Sequence, residues 1–233
     1  MILRLKYSKT PQGRFLSHLD LLRTMQRIFR RAGLPLAYSE GFNPHPKISY
    51  GSALAVGVTS DGEYLDIELR EELSASEVAK RIEPVVPPGI KLISVKELKG
   101  RQDSLMAIIN MARYRVEAHL ESAFSQNAAD EMIATLLEQE NVLVTREGKK
   151  GLRSIDIRAG IYNVTAQVAE EKIVFLMELQ TGSEGNVRPE EIITWLSSQI
   201  LEPKGIYIKG NLRIHRIGLF MKDKDRIRTP IED

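Results

Sequence analysis

Ile2-Leu-Arg-Leu-Lys-Tyr7 opens the chain as an alternation, with Leu3, Leu5 and Tyr7 on one side and Arg4 and Lys6 on the other. A period of two is the mark of a half-buried strand. Ser17-His-Leu-Asp20 then has the form of a capping box: the Ser17 hydroxyl accepts from a free backbone N–H, and Asp20 favours the positive end of the helix. Leu22, Met25, Ile28 and Phe29 give that helix its apolar stripe, and Gly33 is its expected stop. Extended segments are predicted near Leu34–Tyr38 and Ile48–Val58. Glu63 to Leu69 alternates again, with Leu65, Ile67 and Leu69 on one face. Ser74-Ala-Ser-Glu77 repeats the capping pattern before a second helix that Pro84 ends, and Ile90–Val95 supplies a last strand. The order is β-α-β-β-α-β, the ferredoxin-like arrangement, which puts both helices on one face of an antiparallel sheet and leaves the other face open.

The rest of the chain is expected to repeat this course with an added hairpin. A strand over Arg113–Leu120 precedes a helix from Asn127, with Asp130 three residues on. Strands follow near Val142–Arg146, Ser154–Arg158, Tyr162–Val168 and Lys172–Leu179. Pro189 suits the first turn of a helix running to about Ile200, and Ile206–Met221 closes the unit. The expected class is therefore α+β, with two ferredoxin-like halves over 1–98 and 105–221. A polar link spans 99–104, and a charged, fraying tail spans 222–233.

The totals narrow the function classes. The 233 residues suffice for two small domains, and 42% hydrophobic with 27% charged residues is ordinary for a packed protein. With zero Cys, the chain offers no disulfide, no thiolate nucleophile and no cysteine ligand for zinc or iron. The net charge of +2 is too mild to decide for nucleic acid, whose affinity comes from local clusters. No run of about 18 apolar residues is present, and the start, MILRLKYSK, lacks the pattern of a signal peptide. A cytoplasmic protein without a membrane segment is the expectation.

Glu40-Gly-Phe-Asn-Pro-His-Pro-Lys47 is the most unusual stretch. Pro44 and Pro46 hold Asn43 and His45 in extended backbone, so the loop presents Phe42, His45 and Lys47 with little freedom to lose on binding. The same prolines also fit a brace over a sheet edge. His18 lies in the first helical turn, where Asp20 could orient it. His119 and His215 sit among arginines, and no two histidines have the spacing of a shared metal site, so no metal is expected. Arg23, Arg27, Arg30 and Arg31 form a stripe at i, i+4 and i+7 or i+8, suited to phosphates or simply to solvent. Thr181-Gly-Ser-Glu-Gly-Asn-Val-Arg-Pro189 leads into a helix whose free N–H groups attract anions, with Gly185 and Arg188 beside them. A plain strand-to-helix turn explains those glycines too. Lys149-Lys-Gly-Leu-Arg153, with Asp156 and Arg158, adds a second basic patch.

Ser17-His-Leu-Asp20, the run Arg30-Arg-Ala-Gly-Leu-Pro-Leu-Ala-Tyr-Ser-Glu-Gly-Phe-Asn-Pro-His-Pro-Lys47, Gly57-Val and Glu63-Tyr-Leu-Asp66 together resemble an uncharacterised bacterial family. That family is the radical-SAM-associated proteins, found at the C-terminus of a radical-SAM enzyme or encoded beside one. Asp156-Ile-Arg158, Gly182 to Pro189 and Arg216-Ile-Gly-Leu-Phe220 are similar to its later motifs. The resemblance implies a stand-alone accessory protein that binds no cofactor itself. Its separate radical-SAM partner would carry the iron–sulfur cluster and S-adenosylmethionine. On this reading Ser17, His18, Asp20, Phe42, Asn43, His45 and Lys47 recognise substrate, expected to be RNA. Asp156, Arg158, Gly185 and Arg188 assist, and the arginine stripe contacts nucleic acid.

Two other readings stay open. Tandem ferredoxin-like domains are similar to the metal-independent nucleases that process repeat RNA, and Tyr38, His45 and Lys47 are residue types that could move a 2′-hydroxyl proton and stabilise a phosphorane. The glycine-rich C-terminal loop of those nucleases is missing here. A structural adaptor, with both loops serving only as packing, is the third.

Overall fold

The computed structural model describes residues 1–100, 103–148, 151–224 and 226–232. Arg101 and Gln102 of the expected link, Lys149 and Lys150 of the second basic patch, and Asp225 and Asp233 of the tail lie outside the described residues. The fold is α+β, and the chain divides into two units: Met1–Asn110 with Arg216–Asp233, and Met111–His215.

In the first unit, β1 (Ile2–Lys9) pairs antiparallel with β3 (Thr59–Glu68) and β4 (Ile90–Leu98). The short β2 (Ile48–Tyr50) lies against the end of β3, opposite Leu65 to Ile67. Leu3, Leu5, Tyr7, Leu65 and Ile67 turn one sheet face toward α1 (His18–Arg31) and α2 (Ala75–Ile82). The buried stripe of α1 is Leu21, Met25, Ile28 and Phe29. Leu21 thus takes the core place expected of Leu22, because it stands a full turn before Met25. The Ser17 hydroxyl accepts from Asp20 N at 3.2 Å, and Ser74 does the same for Glu77 N. Gly33, at φ +62°, ends α1 in a Schellman turn, with Leu34 N donating to Phe29 O and Gly33 N to Arg30 O.

Four expectations for this unit change. The segment after Tyr50 leaves the sheet. Beside β3 there, the C-terminal end of β10 (Ile208–Asp223) runs instead. The two strands come close enough that a Cβ on Gly62 would stand 2.8 Å from Gly218 Cα. The tail, moreover, is integrated rather than frayed. β11 (Arg226–Arg228) pairs with β10, and Pro230 is buried. The reason is a donor set on the sheet face away from the helices. Arg4, fully buried, forks onto Asp66 at 2.8 and 2.9 Å and donates to Pro230 O at 2.8 Å; Lys96 donates to Ile231 O. The face expected to be open is thus partly covered by the chain's own end. The unit boundary falls at Asn110/Met111, after a one-turn helix α3 (Leu105–Ile108), rather than inside the polar stretch 99–104.

The second unit places its strands in the order β10, β5 (Met111–Leu120), β9 (Lys172–Gln180), β8 (Ile161–Ala169). The hairpin of β6 (Leu143–Gly148) and β7 (Gly151–Asp156) forms a separate two-stranded sheet. α4 (Gln126–Glu138) starts one residue earlier than expected. Its cap is Ser125, whose Oγ accepts from Ala128 N, while Asp130 accepts from the Gln126 side chain. α5 (Pro189–Leu196) runs on through a π turn to Leu201. Among the described residues no helix is long and apolar enough to cross a membrane.

Candidate functional site

The loop between Ala37 and Lys47 is closed by its own backbone. Ser39 N donates to His45 O and Lys47 N to Ala37 O, both at 2.8 Å, and the Ser39 hydroxyl accepts from His45 N at 3.0 Å. Ala37 N and Lys47 O then continue the ladder to Glu68. Tyr38 bridges to Pro46, which a proline tolerates because no N–H is required of it there. The two extended residues that the prolines impose thus become one leg of a pinned hairpin. Its tip turns at Gly41, φ +117°. Phe42 is 106% exposed, and Asn43, Pro44 and His45 are exposed beside it. An apolar ring held wholly in water gains nothing for the fold. The Arg70 guanidinium stands 5.6 Å from the Tyr38 ring centre, and Lys47 pairs with Glu68 at 3.1 Å. That ion pair is exposed and weak.

His18 sits apart from His45. Its ring meets Tyr50 edge-on, 6.3 Å between centres and 78° between planes. Together with Tyr7, Leu21, the Gly51–Leu54 turn, Glu63 and Tyr64, these two line a cavity of about 10 Å³ that does not include His45. Asp20 does not orient His18: its carboxylate takes the Ser17 hydroxyl at 2.6 Å.

Beneath the cavity lies a charge cluster that the sequence analysis missed. Arg216, 1% exposed, forks onto Glu63, 3% exposed, at 2.8 and 2.5 Å. The same guanidinium donates to Ser52 O and Ala53 O, and the Lys9 ammonium to Leu16 O and Ala55 O. Both side chains therefore tie down the 51–55 turn that roofs the cavity. Burial lowers the Lys9 pKa, with Arg216 adding to the effect and Glu63 opposing it. Burial raises Tyr7, with Glu63 adding to it, and also raises Tyr50. The Tyr50 hydroxyl is buried with no hydrogen-bond partner among the described residues. The signals available in the sequence were Arg216, inside the Arg-Ile-Gly-Leu-Phe motif, and the parity of Lys9, which continues the Leu3, Leu5, Tyr7 phase of β1.

The arginine stripe of α1 is exposed along its length, with Arg23 3.9 Å from Asp20 and Arg27 on the Thr24 hydroxyl. The second-unit residues stand in local structural roles. Asp156 accepts from Val142 N and Arg158 N, which holds its carboxyl below the usual range. Arg158 spends its guanidinium on the carbonyls of Leu137, Gln139 and Ile161, closing the end of α4. Gly185 packs on the Gln180 side chain, whose amide oxygen a Cβ would approach to 2.7 Å and displace. At the start of α5, the expected anion place is taken by the chain's own carboxylate. Glu191 accepts from Arg188 N at 3.1 Å and from both prongs of Arg146 at 2.6 and 2.7 Å.

The model of a bacterial family, described as "Uncharacterized protein conserved in bacteria (DUF2344)", matches residues 3–189. No curated protein matches. Solved structures that resemble the chain include a Cbf5-Nop10-Gar1 complex (11% identity, TM-score 0.46, 92% of this chain and 47% of that one). An archaeal box H/ACA sRNP Nop10-Cbf5 complex gives 10% identity and a TM-score of 0.48, over 92% of this chain and 46% of that one. An unknown protein from Galdieria sulphuraria gives 8% and 0.26, over 93% and 98%. The chain spans about half the length of the first two. At these TM-scores the likenesses carry no weight for function.

Proposed function

The chain belongs to the DUF2344 family, and from that premise we propose that it is a non-catalytic accessory protein that recognises RNA for a separate, cytoplasmic radical-SAM modification enzyme. The observation that carries the recognition role is the pinned loop that holds Phe42 fully in water beside Asn43 and His45. A pre-ordered loop loses little entropy on docking, and an exposed aromatic ring offers a base or a partner pocket a stacking face. The zero cysteine count supports leaving the iron–sulfur chemistry to a partner. The radical-SAM link itself rests on the resemblance of the Ser17–Asp20 and Phe42–Lys47 motifs. We read both units as ferredoxin-like, from the strand orders β4-β1-β3-β2 and β10-β5-β9-β8.

Tagged protein recovered from cells tests this reading. Co-purification of a radical-SAM enzyme together with RNA, reduced several-fold by Phe42→Ala, is the expected result; recovery of neither ends the proposal. The Tyr38–Pro46 bridge, which gathers Tyr38, His45 and Lys47 in one hairpin, keeps the ribonuclease as a second reading. RNA left uncut in EDTA by wild type and His45→Ala alike removes it.

A further inference from the structure

The two units share a strand order but treat their outer sheet faces differently. In the first, an extended piece of the chain's own end crosses that face, and its carbonyls accept from Arg4 and Lys96. In the second, the face opposite the Tyr114, Val116, Phe175 and Met177 core is formed by the alternate residues of β5 and β9. Arg113 stands opposite Glu178, Arg115 opposite Leu176, Glu117 opposite Val174 and His119 opposite Lys172. Arg115, His119, Leu176 and Arg213 are exposed there.

The charge on this face is unbalanced. Four cations, Arg113, Arg115, Lys172 and Arg213, meet two carboxylates, Glu117 and Glu178. Glu178 takes Arg113 at 2.7 Å. Glu117 takes Lys172 at 2.6 Å and also pairs with Arg115. Its carboxyl lies below the usual range, chiefly through the Lys172 hydrogen bond and then through the charges of Arg115, Lys172 and Arg213. One central carboxylate is thus ringed by three cations, and the face keeps an excess of two positive charges. At about 3.3 Å per residue, Arg113 to His119 spans roughly 20 Å. Asn163, Thr165 and Gln167 on β8, opposite Glu178, Leu176 and Val174, extend it with neutral hydrogen-bonding groups.

We propose that the outer sheet face of the second unit, centred on Arg115 and Arg213, is a docking surface for the phosphate backbone of single-stranded RNA. This rests on the RNA reading above and assigns it a surface distinct from the Phe42 loop and the α1 stripe. An extended polyanion fits on charge, as strand-like chain with acceptor oxygens already fits the equivalent face of the first unit. The strands here supply cations to phosphate rather than aromatic rings to bases, so binding is steep in salt and tolerant of sequence.

The test is fluorescence anisotropy of a labelled single-stranded RNA 20-mer against the full chain, across a range of salt concentrations. The variants are Arg115→Gln/Arg213→Gln, Leu176→Glu, and the control Lys80→Gln/Lys91→Gln at two exposed cations of the first unit, each checked for an unchanged melting temperature. Leu176→Glu adds a carboxylate at the centre while leaving every cation in place. Both face variants are expected to weaken binding about tenfold or more at low salt. The double variant lowers the slope of log K against log salt by about 1.4, or about 0.7 for each phosphate left unneutralised; the control keeps its slope. Tight wild-type binding that both face variants retain overturns this surface while sparing the RNA reading. Absence of wild-type binding at low salt overturns both.

Discussion

Replacing Arg216 with Met removes the cation from a carboxylate that has nowhere else to turn. Glu63 is 3% exposed and takes both guanidinium prongs, so the single change strands a buried charge. Breaking a buried pair from one side costs about 3–5 kcal/mol. At roughly 2–4 °C per kcal/mol for a chain of this size, the melting temperature falls by roughly 6–20 °C. The double variant Arg216→Met/Glu63→Leu recovers much of that loss, because the stranded carboxylate is gone, while the buried Lys9 ammonium loses the favourable charge of Glu63. The Ser52 and Ala53 carbonyls lose their donor, and Ala53 is exposed. Thermal unfolding of wild type, both single variants and the double closes the cycle. A shift below about 2 °C for Arg216→Met, or a double variant as damaged as the two singles summed, refutes the argument.

Three further outcomes follow from the same contacts. Burial raises Tyr7 and Tyr50 and pushes Tyr64 up to about 12. The folded state therefore holds these protons more tightly than the unfolded chain, with its pKa near 10. Their stabilisation is full below about pH 10 and is lost as pH rises toward 12 and beyond. Tyrosinate absorbance should rise in two steps, the later one coinciding with unfolding. Gly62→Ala sets a methyl against Gly218 Cα and should cost about 1–3 kcal/mol in a urea melt. Truncation after Arg228 strips acceptors from Arg4 and Lys96 and should destabilise by about 1–3 kcal/mol, read the same way.

Strand and helix placement was legible wherever local chemistry decided it. The β1 and β3 alternations, the Ser17 and Ser74 caps, the Gly33 stop and the inserted hairpin of the second unit all follow from periods and turn residues. The closure of the 37–47 loop was foreshadowed by its prolines. What the sequence withheld depends on distant partners. Arg4 read as the wet side of a strand and Lys9 lay past the stretch read as one, yet both are buried, donating to Asp66 and Pro230 and to Leu16 and Ala55. The C-terminal segment read as a tail, because its place is set by distant partners: Arg4 of β1, Lys96 of β4 and the pairing with β10. At the start of α5 the glycines suggested an anion site, and the missing fact was that Glu191 folds back to fill it.

The central claim, that the Phe42 tip is a recognition element, is met most directly by a photo-crosslinking amino acid placed at position 42 in the living cell. A control carries the same group at Leu152, also strongly exposed. Crosslinks from position 42 to a radical-SAM enzyme or its RNA, absent from the control, are the predicted result. Equal labelling from both positions, or none from position 42, contradicts the account.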